Sequence, residues 1–82
     1  MNEIYESVKE IIINIADIPE EEITLDSAMI DDLCLSSIEI MTIIGDIEAK
    51  NNIKLLADDL SNIRTIGELI DAIKRKKDQL IL

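Results

Sequence analysis

Two adjacent serines, Ser36 and Ser37, stand where a mixed loop gives way to an apolar periodic segment, with the paired acids Asp31 and Asp32 five residues upstream. A serine at such a junction caps a helix, because its side-chain oxygen accepts from an otherwise orphaned backbone N–H of the first turn. One serine is enough for that task. The other would keep a free hydroxyl at the positive end of the helix dipole, where an incoming phosphate is electrostatically favoured. The residues themselves leave open which serine caps, and whether both do no more than cap. Other nucleophilic chemistry is closed off: the chain has no histidine, hence no Ser-His or Cys-His pair. Its single cysteine, Cys34, allows neither an intrachain disulfide nor a cysteine-based zinc site. Cys34 is expected to be a small, partly buried apolar residue, and the acid pairs Asp31/Asp32 and Asp58/Asp59 to be solvated. No catalytic set and no metal site are expected.

Periodic apolar segments frame this junction. Between residues 3 and 16, Ile4, Tyr5, Val8, Ile11, Ile12 and Ile15 trace one stripe of an α-helix, with Asn2 as its cap. Asp17-Ile18-Pro19 ends it, since proline disfavours helical geometry in the residue before it. From Glu20 to Asp32 no period is sustained. The run Glu20 to Glu22 is expected to be a solvated loop or a single turn. The irregular Ile23, Leu25, Met29, Ile30 and Leu33 fit a loop that packs on the core while crossing it. A loop this long between helices is unusual unless it has a task, and here it delivers the serine pair.

The second helix is expected from Ser37 to about Lys50, with Ile40, Ile43, Ile44 and Ile47 facing the core. Ile38 and Met41 lie off that stripe, near the serines. With Glu39, Asp46 and Glu48 beside them they make a plausible docking surface. Asn51-Asn52 stops the helix. Ile53, Leu55 and Leu56 are expected to pack, and Asp58-Asp59-Leu60 to form one or two turns capped near Ala57 or Asp58. Thr65-Ile66-Gly67-Glu68 is a capping box of the Thr-x-x-Glu kind. It opens a last helix with Ile66, Leu69, Ile70 and Ile73 on one face, running to about Lys76, whose closing cations complement the dipole. The expected fold is all-α: a small bundle of three longer helices plus one short helix, with a long first loop, in a single domain over residues 1–82.

The chain's 82 residues leave little space for a deep enzymatic pocket, which favours a binding or carrying module. Formal net charge is −10, and residues 1–73 hold 17 acids against four bases, a net of −13. Such a body repels nucleic acid and attracts basic protein surfaces. No window is long and apolar enough for a membrane span, and the N-terminus lacks a signal-peptide pattern, so a cytoplasmic location is expected; the chain is expected, separately, to be a monomer.

This organisation resembles the acyl carrier protein family over nearly the whole chain. Asp32-Leu33-Cys34-Leu35-Ser36-Ser37-Ile38-Glu39 looks like the family's Asp-Leu-Gly-x-Asp-Ser-Leu-Asp or -Glu segment. Ile53-Lys54-Leu55 resembles its Ile-x-Ile-Pro segment, and Ile63-Arg64-Thr65-Ile66-Gly67-Glu68 the Ile-x-Thr-Val-x-Asp or -Glu that opens the last helix. The chain departs from the pattern with Ser36 for Asp, Cys34 for Gly, Asn51 for an aromatic and Leu56 for Pro.

The resemblance implies an acyl-carrier-like fold and a carrier that is not itself an enzyme. Ser37 falls on the serine that receives 4′-phosphopantetheine, placed there by a phosphopantetheinyl transferase that uses coenzyme A and Mg²⁺. The arm's thiol then holds an acyl group as a thioester. Asp31, Asp32, Glu39, Asp46 and Glu48 would face basic surfaces of acyl-transferring or acyl-modifying synthases, with Ile38 and Met41 supplying apolar contact. Fatty-acid, polyketide or related lipid biosynthesis is implied, and aliphatic side chains between the helices would shelter the acyl chain. An aminoacyl or peptidyl carrier is the alternative within the family, disfavoured because Cys34-Leu35 replaces the Gly-Gly pair common there. An acidic helical interaction module without a prosthetic group is the alternative outside it.

Overall fold

The spacing of apolar residues in the first segment is realised as α1 (Glu3–Ala16), which buries Val8, Ile11 and Ile12 and half-buries Ile4, Tyr5 and Ile15. The computed structural model describes residues 3–79, so the expected cap Asn2 lies outside the described residues. Beyond α1 come a 3₁₀ turn at Glu20–Glu22, α2 (Ser37–Asn51), α3 (Ala57–Ser61) and α4 (Ile66–Gln79). The fold is all-α with three longer helices and one short one, and its sole β-type pairing among the described residues is the bridge between Ala28 and Thr65. α1 packs against α2 and α4. Asp17 ends it in the left-handed conformation, φ 57, donating its N–H to the Ile13 carbonyl at 3.0 Å two residues before Pro19.

The long loop is tied down at both sides. Tyr5 Oη donates to the Ile23 carbonyl at 3.1 Å and Lys9 pairs with Glu20 at 3.0 Å, fixing it to α1. Its backbone then runs beside the start of α4: Met29 N–H donates to Arg64 O (2.9 Å), Ile66 N–H to Ser27 O (3.0 Å) and Gly67 N–H to Leu25 O (2.9 Å). Buried Ser27 is satisfied, donating to Glu22 O at 2.9 Å and accepting from Thr24 N–H at 3.0 Å. Ile23, Met29 and Leu33 enter the core, whereas Leu25 and Ile30 are 51% and 66% exposed, contrary to expectation. The segment is fastened by main-chain bonds, so not every apolar side chain has to face inward.

α2 buries Ile43, Ile44 and Ile47, while Ile40 is half-buried, and Asn52 closes it in the left-handed conformation, φ 54. α3 starts one residue earlier than expected. The cap is the extended Leu56, whose own N–H donates to Asp59 Oδ2 at 2.9 Å and whose side chain is exposed rather than packed. α4 buries Ile66, Leu69, Ile70 and Ile73 as the stripe requires. It continues three residues past Lys76, because its last turn is anchored: Lys76 pairs with Asp59 at 3.1 Å and Lys77 Nζ donates to Asn51 Oδ1 at 3.3 Å.

Candidate functional site

The approach to α2 is a sequence of bonded turns. Asp32 and Leu33 both donate their N–H to Ala28 O at 3.0 Å, Asp32 Oδ2 accepts from Ala28 N–H at 2.8 Å, and Leu35 N–H reaches Met29 O at 3.0 Å. Leu33 and Leu35 are buried. Between them Cys34 adopts a left-handed conformation, φ 57, and its thiol is exposed. The expectation of a partly buried Cys34 is therefore corrected: two buried leucines flank a reversed backbone that carries the intervening side chain outward. Glycine adopts this conformation without strain, which gives a physical meaning to the family's glycine at this place.

Ser36 is the cap. Its Oγ accepts from Glu39 N–H at 3.2 Å while Glu39 Oε1 accepts from Ser36 N–H at 2.9 Å, a complete capping box. Ser37 is then the first helical residue, exposed, with no hydrogen bond on its hydroxyl among the described residues. Of the two serines, one is engaged in the helix start and the other is presented to solvent at the positive end of α2.

Along the same face, Ile40, Met41, Ile44, Gly45 and Glu48 follow Ser37 at i+3, i+4, i+7, i+8 and i+11 and line a cleft of about 540 Å³. Its opposite walls are apolar, from Met29 and Ile30 of the loop and from Leu55, Leu60 and Ile63 around α3; Asp31 and Arg64 stand among the lining residues as well. The cleft is already formed, at a size ordinary for small-molecule sites, about 300–1,000 Å³. Gly45, Leu60, Ile63 and Arg64 line the cleft without being among the site residues expected from the sequence. A glycine inside a helical pattern was the available signal for the first. The other three reach the cleft only through the path of the chain around α3.

The residues expected to meet partners separate into two groups. Ile38 and Met41 are 78% and 74% exposed, and Asp31 and Asp46 are exposed with no hydrogen bond or ion pair among the described residues. Asp32, Glu39 and Glu48 each hold backbone. Glu48 Oε2 accepts from Leu55 N–H at 2.8 Å and so fixes the link between α2 and α3, as Asp32 and Glu39 fix the loop and the helix start. No helix among the described residues is long and apolar enough to cross a membrane, and no group of three or more potential metal ligands occurs there.

The sequence pattern described as a phosphopantetheine attachment site matches residues 6–73. This chain belongs to that family. The family's prosthetic group is 4′-phosphopantetheine, and an exposed, unbonded serine hydroxyl whose neighbour does the capping suits its attachment. The chain is 31% identical over 74 residues to an acyl carrier protein of Thermotoga maritima, spanning 90% of this chain and 91% of that one. It is 34% identical over 70 residues to an acyl carrier protein of Tropheryma whipplei, spanning 85% of each. The solution structure of a holo acyl carrier protein from Geobacter metallireducens superimposes with a TM-score of 0.80 over 94% of this chain and 88% of that one, at 19% identity, which shows the shared fold. A carrier role, with the acyl group held through phosphopantetheine, follows from membership of this family.

Proposed function

We propose that Ser37 is the attachment point, and that the chain as a single domain carries acyl groups as thioesters and presents them to partner enzymes without catalysing their conversion. One observation supports this above the others: Ser36 and Glu39 complete the cap of α2, leaving the Ser37 hydroxyl exposed at the positive helix end and in line with the apolar cleft. In the modification the Ser37 oxygen bonds to the pantetheinyl phosphorus of coenzyme A, the nucleotide half leaves, and the hydroxyl proton passes to the transferase. The attached group then supplies the thiol that holds cargo. The backbone around Ser37 is already bonded, so the hydroxyl is presented on a rigid support.

Partners of this reading are a phosphopantetheinyl transferase and synthases with basic docking surfaces. Asp31 and Asp46, whose carboxylates meet no partner among the described residues, steer them, and Ile38 and Met41 give apolar contact. Asp32, Glu39 and Glu48 add charge while holding the fold. The same reading places the carrier in the cytoplasm as a monomer, with the cleft as the refuge of an aliphatic acyl chain.

The test is intact mass after incubation with coenzyme A, Mg²⁺ and a broad-specificity phosphopantetheinyl transferase. Wild type and Ser36→Ala are expected to gain one phosphopantetheinyl group, and Ser37→Ala none. A folded wild type that gains nothing would return Ser37 to a structural role and leave an acidic interaction module.

A further inference from the structure

Gly45 lies in the middle of α2, and nothing in the packing demands a glycine there. Its φ is not positive, and a Cβ built on it meets no atom within 4 Å. Gly67 is different, because a Cβ there would stand 3.0 Å from the Leu25 carbonyl oxygen, where the loop crosses α4. A glycine in a helix interior carries an entropic cost relative to alanine, and at position 45 neither backbone geometry nor a close approach offsets it. What Gly45 does instead is line the cleft between Met41 and Glu48, its neighbours on the same face.

Side chains of an α-helix lean towards its N-terminus, so a larger residue at 45 would lie over the turn towards Met41 and Ser37. It would stand between the attachment serine and the inner walls formed by Ile44, Leu60 and Ile63. We propose that Gly45 is the specificity-determining residue of the cleft: the bare stretch of α2 lets a long aliphatic acyl chain pass from the Ser37 side to the inner walls. This inference rests on the carrier reading. It concerns which cargo is sheltered, and a larger side chain at 45 would restrict shelter to short acyl groups.

The experiment compares wild type, Gly45→Ala and Gly45→Leu, each converted to the phosphopantetheinyl form and loaded with butyryl, octanoyl or palmitoyl groups. Cleavage of the thioester by hydroxylamine is followed by intact mass, and folding is checked by circular dichroism. In wild type, cleavage is expected to slow as the chain lengthens, by about tenfold for every two methylenes withdrawn from water. Gly45→Leu is expected to release palmitoyl and butyryl at nearly the same rate, with Gly45→Ala in between. Equal protection of palmitoyl in wild type and Gly45→Leu would overturn the inference and leave the carrier reading standing. So would an absence of protection in wild type. Failure of wild type to gain the arm would remove the carrier reading and the inference together. If Gly45→Leu does not fold, unchanged palmitoyl protection in Gly45→Ala overturns the inference.

Discussion

The chain uses one capping chemistry twice, at Ser36-Ser37-Ile38-Glu39 and at Thr65-Ile66-Gly67-Glu68, and only one of the two junctions is a candidate site. At both, a hydroxyl accepts from the N–H three residues on, and a glutamate reaches back to the cap's own N–H. The residues inside the box differ. At α4 they are Ile66, wholly buried, and Gly67, over which the Leu25 carbonyl passes, so the loop seals the helix start. At α2 they are the exposed Ser37 and Ile38, with no segment bonded across them among the described residues. A cap establishes a helix dipole end; whether a ligand can reach that end depends on what the second and third residues of the box are and what crosses them.

Replacing the apolar residue of each box should expose this difference most strongly. Ile66→Ala removes a fully buried side chain and is expected to cost about 2–5 kcal/mol, whereas Ile38→Ala should stay within about 0.5 kcal/mol in urea unfolding. Comparable losses at the two sites would mean that α2's start is covered in solution. The caps themselves should be equivalent: Ser36→Ala and Thr65→Ala are each expected to cost about 1 kcal/mol. A Ser36→Ala loss near zero would show that Ser37 takes over the cap, contradicting the division of labour between the two serines.

Much of this was legible in the chain because helical periodicity reports burial directly: the stripes of α1 and α4 are buried where their spacing puts them. The residue types left the choice between Ser36 and Ser37 open; the signal that decides it is Glu39, which stands three residues after Ser36 and completes a box with that serine alone in the fold. Cys34 escaped because its exposure comes from a positive φ between two buried leucines, which residue type does not announce. Leu25 and Leu56 escaped for a related reason, their backbone bonds to Gly67 and Asp59 holding the chain while the side chains stay outside. The cleft depends on non-local geometry, with loop, α2 and α3 meeting only in the folded chain.

The two junctions differ in strain as well. Cys34 precedes α2 with φ 57, while no described residue between Ile53 and Thr65 has a positive φ. Cys34→Gly should therefore stabilise the protein by about 0.5 kcal/mol, left-handed strain on the order of 1 kcal/mol being partly offset by the greater freedom of glycine in the unfolded chain. Thermal unfolding of the variant against wild type measures it. A decrease in stability would mean that the cysteine side chain makes a contact worth more than the strain.

The smallest expected difference is electrostatic and confined to acid. Glu68 accepts from the N–H groups of Arg64 at 2.8 Å and Thr65 at 3.0 Å, and these bonds hold its carboxyl below the ordinary value of 4.5. A folded-state pKa below the unfolded one gives stability that is present above the unfolded value and is lost as pH falls through the folded one. Wild type should therefore exceed Glu68→Gln in stability by a constant margin at neutral pH, and that margin should shrink as pH falls below about 4.5. Acidification also relieves repulsion in a chain of net charge −10, and it does so nearly alike in two proteins that differ by one charge, so the difference between them reports mainly on the α4 box. The measurement is a pair of urea titrations repeated across this range. A margin that stayed constant down to pH values well below the ordinary carboxylate range would mean that the bonds to Arg64 and Thr65 do not depend on the charge of Glu68, and that α4's start is held by its buried Ile66 and the crossing loop alone.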